Sequence, residues 1–402
     1  MKKSKNITKV IFVSFAFILS SFSLINAEEN DTLSIKNNTV YSGFFQEGTI
    51  IPTNTFLRLM NINNEEFSEF DALSFQITKQ TYGKESWEQY FGYPTYGIGI
   101  FVARFYNSKY LSLPISVYGV FKAPIKRWDN LSLNYNAGFG FTANWESFNP
   151  AENNYNISFG TTLSTYIDFG ISLNYKISSH VDLGAGFSLT HFSNGAMKVP
   201  NSGLNTLAPK ISLDYYVNRL DHPKIKPSLT PCIKNTYLDF SIYGGEKSVY
   251  YPDINTDTTS VFDGLYYPVF GLNTIINRQI SHKSLVGFGM TLGYDGTKNA
   301  VVNMIEGKPK TDLSYRKENI TLAIYPSYEL LIHQLSFYVQ PCFYIIKHQT
   351  TYKRPTFFAR IGLKYHFKDN LYATLGLHAY NFSHADFLEW TIGYRIPFLT
   401  NE

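Results

Sequence analysis

Most signatures of a soluble enzyme or a helical membrane protein are missing from this chain. Only two of its 402 residues are cysteine, Cys232 and Cys342. That is too few for a scaffold built on disulfides, and nothing in the sequence places the two together. Beyond the first residues no apolar run approaches the roughly 18 needed for a membrane-spanning helix. Neither sign of charge dominates: 35 Lys and Arg face 31 Asp and Glu, and Lys2, Lys3, Lys5 and Lys9 at the start account for the difference. A balanced chain of this kind gives no support to nucleic-acid binding. No glycine cluster forms a phosphate loop. His384-Ala-Asp386 has the residue types of a metal pair, but two residues do not make a site. Neither a metal nor a cofactor is expected.

Aromatic residues are what the chain has in excess. Tyr and Phe number 31 and 33, and aromatics make up 17% of the sequence while the hydrophobic total is 44%. Aromatic enrichment on modest hydrophobicity fits an outer-membrane barrel with aromatic girdles. The start of the chain agrees with export. Four lysines precede the apolar run Val10–Phe22, and Ile25-Asn26-Ala27 offers a small residue for cleavage. Residues 1–27 read as a secretory signal peptide, and no cysteine near the cut suggests a lipoprotein.

Strict alternation then runs along most of the sequence. Leu131, Leu133, Tyr135, Ala137, Phe139 and Phe141 alternate with Ser132, Asn134, Asn136, Gly138 and Gly140. The same dyad recurs at Ile167–Ile177, Leu285–Tyr294, Asn319–Leu330, Phe357–Phe367 and Leu371–Tyr380. Charges such as Asp168, Lys176, Arg360 and Lys364 fall on the polar rows, with His366, His378 and Glu389. Side chains of a strand alternate between faces, so one row meets lipid and the other a lumen. Connections alternate as well. Ser178-Ser179, Ser281-His-Lys283, His333-Gln334 and Lys368-Asp-Asn370 are tight, whereas residues 144–158, 244–263 and 295–317 form long polar stretches. The pattern predicts an all-β, antiparallel transmembrane β-barrel larger than eight strands, with about 14–16 strands in one domain over residues 28–402. No domain boundary is read. Gln80–Tyr93 stands out as an awkwardly long connection. On the wide lumen of such a barrel, arginine should be much milder on the luminal row than on the lipid row. At the C-terminus, Leu388, Trp390, Ile392, Tyr394, Ile396 and Phe398 form an apolar row resembling the terminal strand signature read by the barrel-insertion machinery.

One strand carries a chemical pair on the wrong face for mere solubility. Val181, Leu183, Ala185, Phe187 and Leu189 form an apolar row, and His191 and Ser193 continue it. Residues two apart on a strand share a face with Cα atoms about 6.6 Å apart. A base beside a hydroxyl is the minimum for nucleophilic catalysis, here at a lipid surface.

The stretch His191-Phe-Ser193-Asn194, followed by Pro200-Asn201-Ser-Gly203, resembles the signature of the outer-membrane lipid A 3-O-deacylases. The close match covers residues 180–217. The resemblance implies a serine esterase of the bacterial outer membrane that hydrolyses an ester-linked hydroxyacyl chain of lipid A. Ser193 would be the nucleophile and His191 its base, with Asn194 and Gly195 at the oxyanion and Pro200, Asn201 and Gly203 shaping the loop. Residues 40–217 would be the deacylase-like part and residues 218–402 additional strands. Two departures stand out. The family's acid falls on Asn205, an amide, although Asn205 lies on the same face as His191. The family's barrels have eight strands, and this chain continues well past them. That extra length keeps a second reading open, a non-catalytic channel or ligand-binding barrel that retains the motif.

Overall fold

The computed structural model describes residues 38–220 (except 60, 62, 63, 65 and 107), 231–248, 266–300, 314–347 and 355–398 (except 383). The leader and the last four residues lie outside the described residues.

Sixteen strands are present among them, but they close as two rings rather than one. The first barrel comprises β1 (Thr39–Ile51), β2 (Glu69–Gln80), β3 (Thr95–Phe105), β4 (Ile115–Arg127), β5 (Leu131–Ala143), β6 (Ser164–Lys176), β7 (Val181–Ser193) and β8 (Leu204–Tyr216). The second comprises β9 (Thr236–Ser248), β10 (Tyr266–Ser281), β11 (Ser284–Asp295), β12 (Ile320–Ile332), β13 (Leu335–Lys347), β14 (Phe357–His366), β15 (Leu371–Tyr380) and β16 (His384–Phe398). Within each barrel, consecutive strands pair antiparallel. β1 then meets β8, with Gly43 opposite Leu213, and β9 meets β16, with Asp239 opposite Arg395. The expectation of one barrel larger than eight strands is therefore corrected to two barrels of eight, and with it the single domain. The strand count was right. The physical reason for the split is that β8 satisfies its free edge against β1 and leaves nothing for β9 to extend. The helix Ser86–Tyr90 fills the long connection after β2, which Thr81 closes by a backbone bond to Pro94 at 3.1 Å.

The rows fall as the alternation requires. Phe187, Ile211 and Leu213 are 57%, 58% and 53% exposed on the outside of the first barrel, while Asp182, Ser188, Ser212 and Asp214 are buried inside. Eight strands leave an interior that side chains fill. In the first barrel Asp168 accepts from Asn136 at 2.9 Å, Thr190 at 2.9 Å and Ser188. Lys122 reaches Asp214 at 2.9 Å. At the end near Ser193 the filling is aromatic, with Phe101, Trp145, Phe159, Tyr166 and Phe192 in one buried cluster. In the second barrel Asp239 and Glu329 share Arg395 at 2.7 and 3.0 Å, and Lys364 reaches Glu329 at 2.8 Å. Cys342 is buried within that barrel and Cys232 precedes β9; both are free thiols. Asp386 is paired with Lys247 at 2.6 Å, and no group of three or more possible metal ligands occurs among the described residues.

These interiors change one expectation. Arginine at Phe187, on the lipid face, is expected to cost roughly 2–4 kcal/mol. Denaturant unfolding of the protein in lipid vesicles measures this, and a cost below about 1 kcal/mol would place Phe187 away from the hydrocarbon. Arginine at Ser188 does not become the mild case that a wide lumen implied. Ser188 is 2% exposed among filled neighbours, and overpacking costs about 1–3 kcal/mol or more. The wide-lumen argument for a channel goes with it.

Candidate functional site

Phe192 sets the position of the two residues beside it. Its ring is fully buried, 5.1 Å from Trp145 and 5.7 Å from Tyr166 between ring centroids. Alternation then turns His191 and Ser193 outward on either side of this anchor. The aromatic between the polar pair is thus the residue that fixes the strand's rotation at the rim, and its place on the inward row was the available signal for it.

On the next strand Asn205 is the direct cross-strand partner of His191. Such partners bring Cβ atoms to about 5 Å, and here the side chains meet. His191 Nδ1 lies 2.6 Å from Asn205 Oδ1. A carbonyl oxygen accepts, so the ring donates through Nδ1–H and presents Nε2 as its basic nitrogen. The amide in the acid's place therefore engages the imidazole on the face expected of it. Asp214 lies on the inward row of the same strand, 1% exposed and paired with Lys122, and is not a substitute.

Ser193 has a partner from the loop. Asn201 Nδ2 donates to Ser193 Oγ at 2.9 Å, and Asn201 Oδ1 accepts from the Asn194 N–H at 2.8 Å. One amide thus ties the serine hydroxyl to the backbone that follows it. The N–H of Asn194, expected at the oxyanion, already donates to Asn201 in this state. Gly195 and Ala196 turn the chain with φ of 65° and 60°. The loop returns through Ser202 and Gly203, whose N–H groups donate to Ile157 and Ser158 carbonyls at 3.0 and 3.1 Å. Asn156 holds that supporting segment by donating to Glu146 O at 2.7 Å and accepting from Ser158 N at 3.1 Å.

Gly203 is required for two reasons. Its φ is +64°, a region that costs other residues energy, and a Cβ there would meet Phe192 O at 2.7 Å and His191 Cε1 at 3.2 Å. A side chain at this position would push directly on the imidazole. Sequence reading named Pro200, Asn201 and Gly203 from the motif, and the structure brings Asn201 and Gly203 to the pair. It missed Thr53, Thr165 and residues 156–158, which approach from other strands and loops.

His191 and Ser193 thus share the outward row of β7, the one held by Asn205 and the other by Asn201. Comparison with known proteins agrees on the region. Residues 71–213 match the family model "Lipid A 3-O-deacylase (PagL)", and residues 236–398 match "Acyloxyacyl hydrolase, C-terminal domain". Among solved structures, the outer membrane enzyme PagL is 13% identical, covering 43% of this chain and 97% of its own, with a TM-score of 0.26. A de novo designed transmembrane β-barrel is 13% identical, covering 46% and 100%, at 0.22. CdiB from Acinetobacter baumannii is 10% identical, covering 90% and 60%, at 0.19. No curated relative matches.

Proposed function

We propose that the first barrel is a serine esterase cleaving a hydroxyacyl chain from lipid A, a reading supported by the match of residues 71–213 to the lipid A 3-O-deacylase model and of residues 236–398 to the acyloxyacyl hydrolase C-terminal model. The observation that carries the serine mechanism is the 2.6 Å contact between His191 Nδ1 and Asn205 Oδ1, on the same outward row as Ser193. With Nδ1–H committed to Asn205, Nε2 takes the proton from Ser193 Oγ. The oxygen attacks the ester carbonyl carbon, and the C=O pair moves onto the carbonyl oxygen. We assign to Asn201 Nδ2, which donates to Ser193 Oγ at 2.9 Å, the donation to that developing charge once substrate is bound, a type of donor that contributes most in acyl transfer. Collapse breaks the bond to the sugar oxygen, which leaves with the proton from Nε2. Water then attacks the acyl-serine and gives its proton to His191, which passes it to Ser193 Oγ as the acyl C–O bond breaks and the fatty acid leaves.

Mass spectrometry of lipid A after incubation with the protein tests this. Loss of one hydroxyacyl chain is expected with wild type and not with Ser193→Ala; equal loss in both removes the serine mechanism.

The tight turn at Ser178-Ser179 belongs to the periplasmic side in this reading, so the 194–203 loop lies outside, at the leaflet that holds lipid A. A protease site inserted after Ala196 should be cut in intact cells. Cleavage only after the outer membrane is opened would invert the topology. The apolar outward row of β16, with Ile392, Tyr394, Ile396 and Phe398 exposed, supports recognition of that strand by the insertion machinery. Exchange of Phe398 for a charged residue should lower outer-membrane yield, and an unchanged yield would argue against it.

A further inference from the structure

The loop that carries Asn201 leaves the barrel at Ser193 and rejoins it at Gly203. Each end is held by a threonine hydroxyl from a different part of the fold. Thr165 Oγ1 donates to the carbonyl of Ser193 at 2.7 Å, and Thr53 Oγ1 donates to the carbonyl of Gly203 at 2.8 Å. Thr165 is the cross-strand partner of Ser193 on β6. Thr53 follows the end of β1, whose last residue, Ile51, pairs with Asn205 across the seam that closes the barrel. Thr53 also lies outside the residues matched by the deacylase family model.

We propose that Thr53 and Thr165 are positioning residues for the hydrolysis, holding the loop so that Asn201 meets Ser193 and His191 keeps its place against Asn205. The inference rests on the reading of Ser193 as nucleophile.

A peptide unit is planar, so fixing its oxygen fixes its N–H as well. The unit joining Ser193 to Asn194 is gripped at both ends, its oxygen by Thr165 and its N–H by Asn201 Oδ1 at 2.8 Å. The same asparagine reaches the Ser193 hydroxyl with its other end. Rotation of this unit would carry the Asn194 N–H away from Asn201 and loosen the asparagine from Ser193 Oγ. Thr165 opposes that rotation from the far side. Gly203 is held through the two peptide units on either side of it, its N–H on Ser158 O at 3.1 Å and its oxygen on Thr53. A Cβ built on Gly203 would lie 3.2 Å from His191 Cε1, so this end of the loop borders the imidazole. Both carbonyls stand where the strand ladder ends, and a side-chain donor takes the place of the next rung.

The test uses the full chain and removes each hydroxyl at nearly constant shape, as Thr53→Val and Thr165→Val. Serine at either position restores the donor. Initial rates on lipid A are measured over a range of substrate, with Ser193→Ala alongside. Each valine variant is expected to lower kcat about tenfold, the scale of one geometric hydrogen bond in a pre-organised site, with KM within about twofold of wild type. Each serine variant should recover most of the rate. Folding is followed by the shifted migration of the unheated barrel in detergent gels. Where a valine variant fails to fold, the alanine variant of the same residue is read in its place against serine. Wild-type kcat in the variants lacking a hydroxyl overturns the proposal, as does a loss that serine does not restore. Activity remaining in Ser193→Ala removes the nucleophile reading itself. An inactive Ser193→Ala beside unaffected threonine variants removes only the positioning role.

Discussion

His191→Ala is expected to lower fatty-acid release from lipid A by a factor on the order of 10³ or more, and Ser193→Ala by a similar factor. A serine hydroxyl at neutral pH is almost wholly protonated and attacks an ester only as its proton is removed. His191 is the residue that shares its row, and its Nδ1–H is already engaged by Asn205, which leaves Nε2 for that proton. Because the two residues act in one step, the double variant should be little worse than either single one. Groups that work as a unit are not additive in this way. Phe192 anchors the strand between the two residues, and Ser193, although only 6% exposed, loses only a hydroxyl on change to alanine, so the unfolding midpoint should shift little. The measurement is the initial rate of release by each of the three variants. A His191→Ala enzyme retaining a tenth of wild-type activity, or a double variant far below both singles, would mean that some other base takes the proton.

The second large effect is a gain. Asn205→Asp is expected to raise turnover by about 10–100-fold, against a reference loss of about 10⁴ when a triad acid becomes an amide. Asn205 can present either its oxygen or its NH2 group to the imidazole. Only the oxygen holds Nδ1 protonated and frees Nε2, and an amide turned the other way fixes the wrong tautomer. Aspartate has the same length and accepts from both oxygens, so either orientation is productive. Its charge also stabilises the imidazolium formed as Ser193 attacks. A carboxylate at the barrel rim costs far less than one at mid-bilayer, so folding should survive. Asn205→Ala should lower the rate, about tenfold, by removing the orienting bond. Parallel rate measurements of the aspartate, alanine and wild-type proteins decide the matter. An aspartate variant slower than wild type would show that the amide is not serving in the place of an acid.

The strands and their rows were legible because alternation is a local property. Residues 181–193 and 204–216 announce which face meets lipid without reference to anything outside themselves. Ring closure is not local. The alternation of β8 is the same whether its free edge meets β1 or β9, and the choice depends on residues some 170 positions away. A boundary signal was present all the same. Pro223, Pro227 and Pro231 lie between β8 and β9, and a residue without an N–H resists a place in a central strand. The pair His191 and Asn205 was legible from shared face and motif. The asparagine contact to Ser193 Oγ depends on a loop's path, and Thr53 reaches Gly203 only because β1 closes on β8. Neither has a signature in the spacing of residues.

His191 and Asn205 stand on the outer wall of the barrel, so on the proposed function substrate would arrive sideways, by diffusion within the leaflet. The enzyme then responds to how crowded its own plane is with lipid A, and the amount per volume of suspension has little meaning for it. Adding inert lipid or detergent at fixed amounts of enzyme and substrate should slow hydrolysis in proportion to the thinning of substrate in that plane. In a cell the same geometry couples the rate to the composition of one leaflet, and the protein becomes a reader of its surroundings as well as a catalyst within them.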